Sequence, residues 1–275
     1  MDIVVVYHTL TMRRNLWLAI GITACALATG TALWRRFAPG TYLRFDTMFG
    51  RARIYQVEDD AGEPVRLLEV GGIVQSGTYL DEQYTKLVFE YLKRYDLMFE
   101  RTAPVRRVCV LGCGGYDYPE HLIAHHPDLI AVDAVEIDPV ITAIARRYFF
   151  LDRLIEEFDA ERTGQLNLIN ADALEFLQAE GPAYDAIVND CFDAGAPPAH
   201  LTTGAFAEAV HERLAPYGIY LTNIVAAQKG PGAAFLDDQV ALLQRVFAHV
   251  RIYPCSKDHL TEPDNVIVAA SDSPL

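Results

Sequence analysis

The chain has 275 residues, 51% of them apolar and 22% charged, with 18 glycines and 14 prolines; that balance excludes a disordered or low-complexity chain. Thirty-seven acidic against 23 basic side chains give a formal net charge of −14, which argues against general binding to phosphate backbones and suits cationic or small neutral ligands. The cysteines, Cys25, Cys109, Cys113, Cys191 and Cys255, are odd in number and contain no Cys-x-x-Cys pair, so neither a disulfide framework nor a zinc site is expected, and a reducing compartment is.

After a tail over 1–15, the run from Leu16 to Trp34 carries no charge and is bracketed by Arg13-Arg14 and Arg35-Arg36. Its length approaches the roughly 20 residues that cross a bilayer and exceeds the roughly 7–15 of a signal peptide. Residues 16–34 are therefore expected to be a single-pass transmembrane anchor. The arginines that follow, Arg35, Arg36, Arg44, Arg51 and Arg53, place the rest of the chain on the cytoplasmic side of the cell membrane. Met12 offers an alternative start.

Residues 41–82 read as a small β domain: strand patterns over 51–57 and 65–70 flank the turn cluster 58–64, and Gly71-Gly72 breaks the second strand. Residues 83–103 are expected to be a linking helix, with Leu87, Val88, Tyr91, Leu92 and Tyr95 on one stripe. From 104 to 275 the texture changes. Short β-type runs at 105–111, 130–137, 165–170, 184–189 and 218–225 alternate with helical stretches at 117–126, 139–157, 171–180, 202–214 and 232–248. That alternation predicts a doubly wound parallel sheet. Two last runs, 250–253 and 265–270, are joined by loop alone, so the final strand is expected to be antiparallel.

Open sheets of this kind bind ligands beyond the carboxyl ends of their strands. The first strand ends in Gly112-Cys113-Gly114-Gly115, where glycine lets the backbone turn tightly and approach a ligand; Asp117 stands where a dinucleotide motif has its last glycine. The second ends in Glu136-Ile137-Asp138-Pro139. An acid there can hold a ribose diol, while Asp138 is placed to cap the next helix. After the third, Asn170-Ala171-Asp172-Ala173 offers an Asp that either receives an adenine amine or only caps. Together these describe a nucleoside pocket of the S-adenosyl kind. The fourth ends in Asn189-Asp190-Cys191-Phe192-Asp193; one carboxylate there can hold an attacking amine and take its proton, the other a second ammonium, or both can sit in a polar loop. Cys191 has no histidine nearby in sequence, and His121, His125 and His126 read as surface residues with no metal partner.

With Gly71-Gly72-Ile73-Val74-Gln75-Ser76, Tyr79-Leu80-Asp81-Glu82, the glycine turn, Val135–Pro139, Asn170–Ala173, Tyr184–Asp190, Leu201–Phe206 and Leu214–Gly218, the chain resembles the spermidine synthase family, the polyamine aminopropyltransferases. It is most similar to bacterial members fused to membrane segments. The resemblance implies a class I methyltransferase-like (Rossmann-like) domain behind a small β domain. It implies transfer of an aminopropyl group from decarboxylated S-adenosylmethionine to a polyamine such as putrescine, and homodimerisation through the β domain. By the same resemblance, Gly112, Gly114, Gly115, Asp117, Glu136, Asp172 and Ala173 form the donor site. Glu136 would hold the ribose and Asp172 the adenine; Asp190 would deprotonate the amine with Asp193 assisting, and Gln75 and Tyr79 would close the acceptor side. No metal is implied. Three departures stand out. The family's donor-gripping Asp is replaced by Gly115, with Asp117 two residues on; Thr85 stands near a family Tyr; and the late aromatic loop reads Cys255–Glu262. Two other readings stay open: a methyltransferase using intact S-adenosylmethionine, and a silent domain that binds a nucleoside or polyamine without turnover.

Overall fold

The structure, a computed structural model, describes residues 43–192, 196–255 and 260–275. The anchor expected over 16–34 lies outside them. Among the described residues, no helix is long and apolar enough to cross a membrane.

The first unit is an antiparallel meander of β1 (Leu43–Thr47), β2 (Gly50–Glu58), β3 (Pro64–Val70) and β4 (Ile73–Tyr79), in that spatial order. The turn cluster joins β2 to β3, whose register runs from Ala52 opposite Val70 to Glu58 opposite Pro64. Gly71 and Gly72, both at positive φ (60° and 93°), make the two-residue hairpin into β4, a geometry that suits the strand twist and glycine alone adopts readily. Ala52, Ile54, Val65, Leu67 and Leu68 of these strands are buried.

The helix expected over 83–103 is corrected. The chain makes irregular turns to Tyr91 and then a 3-10 helix over Leu92–Glu100. Leu87, Val88 and Phe89 are all buried, and Val88 and Phe89 both pack on Gly77. A regular helix sets successive side chains about 100° apart, which cannot bury three neighbours against one sheet.

The second unit is a seven-stranded sheet in the order β10-β11-β9-β8-β5-β6-β7. Its strands are β5 (Arg107–Leu111), β6 (Ala131–Glu136), β7 (Leu166–Asn170), β8 (Tyr184–Asn189), β9 (Leu214–Ala226), β10 (His249–Pro254) and β11 (Asp264–Ser271). β5 to β9 pair in parallel, and β11 is antiparallel to both neighbours, as its short loop connection predicts. Val108, Val110, Val132, Ala134 and Val188 join one core, while Cys109, Leu111, Val135 and Ile187 join the other. Alternate residues face opposite layers, which is why these strands read as unbroken apolar runs.

The helices are α1 (Asp117–His125), α2 (Pro139–Tyr148), α3 (Leu151–Phe158), α4 (Ala160–Thr163), α5 (Ala173–Gln178), α6 (Gly204–Arg213) and α7 (Ala234–Leu243). The single helix expected over 139–157 is two, broken where Phe150 takes φ 69°. The order of strands reverses at β5, between β6 and β8, and ligands bind beside such a switch point.

Candidate active site

The chain leaves β5 through Gly112, whose amide donates to the Val135 carbonyl at 2.9 Å. Gly112 has φ 78°, and a Cβ there would lie 2.8 Å from the Asp190 carbonyl oxygen, so only glycine lets β5 and the end of β8 close together. Gly114 and Gly115 face β4: a Cβ on either would strike Ser76, at 2.6 Å from Oγ and 2.8 Å from Cβ respectively. The Gly115 amide donates to Ser76 Oγ at 2.6 Å. The meander thereby forms one wall of the turn.

Glu136 closes the opposite side. Its Oε2 accepts from the Cys113 and Gly114 amides at 3.0 and 3.2 Å, and its Oε1 from the Asp138 amide at 3.0 Å. Burial raises its pKa against those three bonds. Asp138 caps α2 by accepting from Val140 and also accepts the Met48 amide at 2.6 Å, a second tie between the two units. Asp172 caps α5: Oδ1 accepts from Leu174 and Glu175, and Oδ2 pairs with His200 Nε2 at 2.8 Å. Burial pushes this carboxyl up, but the Glu175, His200 and Leu174 contacts outweigh it and hold it below the usual range. Ala173 is buried as the first residue of α5.

Asp117 folds inward rather than to solvent. Its Oδ2 accepts from the Gly77 amide at 2.9 Å, and its Oδ1 is buried without a hydrogen-bond partner, 2.9 Å from where a Gly115 Cβ would stand. Burial pushes its pKa up to about 7, opposed by the Gly77 amide, and the nearby Asp190 adds to the rise. Asp190 lies at the mouth of β8. Its Oδ2 accepts from the Tyr91 hydroxyl and its Oδ1 from Asn223 Nδ2, each at 3.0 Å. Burial holds this carboxyl above its ordinary range, and the Asn223 and Tyr91 bonds restrain the rise. Asn223 also donates to Asn265 at 3.1 Å. Two buried carboxylates thus share one space, and an unpartnered oxygen there is costly unless a cation or donor meets it.

Gly112, Gly114, Gly115, Asp117, Glu136 and Asp190 therefore meet at the ends of β5, β6 and β8. Asp193 lies outside the described residues. Gln75 stands beside the turn on β4, its carbonyl oxygen 3.6 Å from a Gly114 Cβ. Tyr79 goes elsewhere: its hydroxyl donates to Asp59 at 3.2 Å, in the β2–β3 turn, and Lys86 covers its ring. Thr85 turns to His125, Oγ1 to Nε2 3.2 Å. The reading of the histidines as partnerless is also corrected, because Asp96 meets His121 Nε2 at 3.1 Å and His126 Nε2 at 3.9 Å. Sequence reasoning missed the partners of Asp190: Tyr91 counted only as a core residue and Asn223 as part of a strand.

Residues 97–229 match the family model of the spermine/spermidine synthase domain. That stretch of the chain belongs to this domain family. The chain is similar to the polyamine aminopropyltransferase of Vibrio vulnificus, 27% identical over 180 residues that cover 64% of this chain and 55% of that protein. The chain thus spans little more than half the length of that relative. Putrescine N-methyltransferase 2 of Nicotiana attenuata is 30% identical over 119 residues, 43% of this chain and 30% of that protein. Among solved structures, a probable spermidine synthase from Corynebacterium glutamicum superposes with a TM-score of 0.69 at 22% identity, covering 86% of this chain and 82% of its own. That likeness shows the fold, a Rossmann-like α/β domain of methyltransferase type.

Proposed function

We propose that the chain is an aminopropyltransferase that carries an aminopropyl group from decarboxylated S-adenosylmethionine to a polyamine such as putrescine. The observation that carries this reading is the inward carboxylate of Asp117 beside Gly115. The family's donor-gripping Asp is missing from the turn, and Asp117 offers a buried carboxyl oxygen, ionising at about pH 7, next to the same turn. An intact donor would bring its own carboxylate toward that oxygen, whereas a decarboxylated one brings only an ammonium.

In this reading Glu136 holds the ribose, using the lone pairs its amide bonds leave free, and the glycine turn admits the sulfonium tail. Asp172 reaches the adenine only beside its capping and His200 bonds. The acceptor amine lies between Asp190 and the donor, near Tyr91 and Gln75. Its nitrogen attacks the aminopropyl carbon next to sulfur; the C–N bond forms, the C–S bond breaks, and the thioether leaves with the electron pair. The proton lost by nitrogen passes to Asp190, whose raised pKa suits it as a base. Most of the acceleration comes from holding amine and carbon in line. Asp193 is proposed to assist, and the Tyr79 hydroxyl is engaged by Asp59.

The likeness to putrescine N-methyltransferases over 119 residues favours a second reading, methyl transfer from intact S-adenosylmethionine to the same kind of amine. Calorimetric titration of the purified chain with decarboxylated and intact donor, side by side, separates them. Preference for the decarboxylated donor supports aminopropyl transfer, preference for the intact one supports methyl transfer, and binding of neither overturns both. Residues 16–34 are proposed to anchor the catalytic part to the cytoplasmic face of the membrane, supported by their charge-free run and flanking arginines. Homodimerisation through the meander is proposed on the family resemblance alone. Fractionation and light scattering test these two.

A further inference from the structure

Behind the site, α1 and the 3-10 helix over Leu92–Glu100 meet at a cluster of nitrogen and oxygen donors. Asp96, His121 and His126 each offer a ligand atom, and these lie within 4.8 Å of one another. Asp96 Oδ2 is 3.1 Å from His121 Nε2, and Oδ1 is 3.9 Å from His126 Nε2. All three side chains are partly exposed, so a cation can enter from solvent and keep water on its open positions. The support around them is ordered. Tyr118 donates its hydroxyl to Asp96 Oδ1 at 3.1 Å, and Phe99 stacks on the His126 ring with centroids 3.7 Å apart. His125, 4.7 Å from His121, is tied to Thr85. His121 keeps a second ring nitrogen, Nδ1, buried without a partner.

We propose that Asp96, His121 and His126 bind a divalent transition-metal ion of the zinc class, clamping the 3-10 helix to α1. Two imidazoles and one carboxylate suit zinc among other first-row ions, and three protein ligands plus water complete a tetrahedral shell. Ligand atoms around zinc stand about 3.4 Å apart for bond lengths near 2.0–2.1 Å. The Asp96 contacts at 3.1 and 3.9 Å bracket that spacing. Tyr118 supplies the outer hydrogen bond that ligating carboxylates usually carry. Tyr91, which contacts Asp190, immediately precedes the 3-10 helix, and Asp117 opens α1. The metal would therefore tie together the two elements that frame the candidate site, without touching it.

The test uses the full chain, stripped with chelator and then titrated with zinc chloride. Zinc is expected to bind one equivalent and, at a hundredfold excess over Kd, to raise the unfolding midpoint by about 5 °C or more. Asp96→Asn and His126→Gln are expected to lose that shift, and His211→Gln, on α6 far from the cluster, to keep it. An equal shift in wild type, D96N and H126Q overturns the proposal, as does no shift in wild type. Cobalt(II) added to the wild-type chain gives a reading that needs no variant. Visible ligand-field bands saturating at one equivalent support the site, whereas their absence, or a thiolate charge-transfer band placing the metal on cysteine, overturns it. Failure of donor binding elsewhere leaves these readouts unaffected.

Discussion

Tyr91 donates its hydroxyl to Asp190 across 3.0 Å of space and 99 positions of sequence. The carboxylate at the end of β8 is therefore tuned by a residue from the segment that links the two sheets.

Tyr91→Phe removes a bond that favours the ionised Asp190 and leaves the ring's packing in place. The carboxyl of the variant should titrate higher, so the acidic limb of the kcat–pH profile should move to higher pH, with kcat near neutrality down about tenfold. Donor affinity should stay within a factor of two or so of wild type. An unshifted limb would show that the phenol does not act through Asp190.

Asp190→Asn keeps the shape and loses the base. Turnover should fall about 10²–10⁴-fold, while calorimetric donor binding remains close to wild type. A variant that no longer binds donor would mean that Asp190 belongs to the donor site instead.

Asp117 carries a pH signature in the free protein. Its pKa stands at about 7 against an ordinary 3.8, so between those values the folded chain holds a proton that the unfolded chain has released. Folding stability from this group is therefore lost as pH rises through that window. Asp117→Asn abolishes the loss, and its stability relative to wild type, read by urea titration at about pH 4 and about pH 8, should improve at the higher pH. Wild-type affinity for the decarboxylated donor should rise over the same interval as the carboxylate ionises, and the variant's should be weak and flat.

Gly115→Asp restores the residue that the family resemblance expects in the turn. Here the new Cβ would meet Ser76 at 2.8 Å and Asp117 Oδ1 at 2.9 Å, and a second carboxylate would crowd the first. The variant should bind donor at least tenfold more weakly and unfold several degrees lower. Tighter donor binding would show that Asp117 does not stand in for the missing Asp.

Much of this layout was legible in the chain because strand ends carry their own signals. Gly112, Glu136, Asp172 and Asp190 each follow an apolar run, and a doubly wound sheet places such residues together whatever the loops do. What escaped the reading was contact between distant segments. Nothing local distinguishes Tyr91 from the buried Tyr95, or Asn223 from other polar residues of β9, since their roles depend on which strand lies alongside. Along β4 the Gln75-Ser76-Gly77 stretch supplies the contacts to the turn, while the Tyr79 hydroxyl, farther along the strand, reaches Asp59. The Asp96–His121–His126 cluster was invisible because its carboxylate comes from a different helix.

The bond from Gly115 to Ser76 and that from Gly77 to Asp117 have a consequence for the order in which the molecule can open. Both use atoms of β4, so peeling that strand from the turn uncovers two amides and a carboxylate at once. Loss of the meander and loss of the pocket are then one event. A ligand seated against the glycine turn should accordingly slow amide hydrogen exchange in β3, which lies behind β4, as much as in β5.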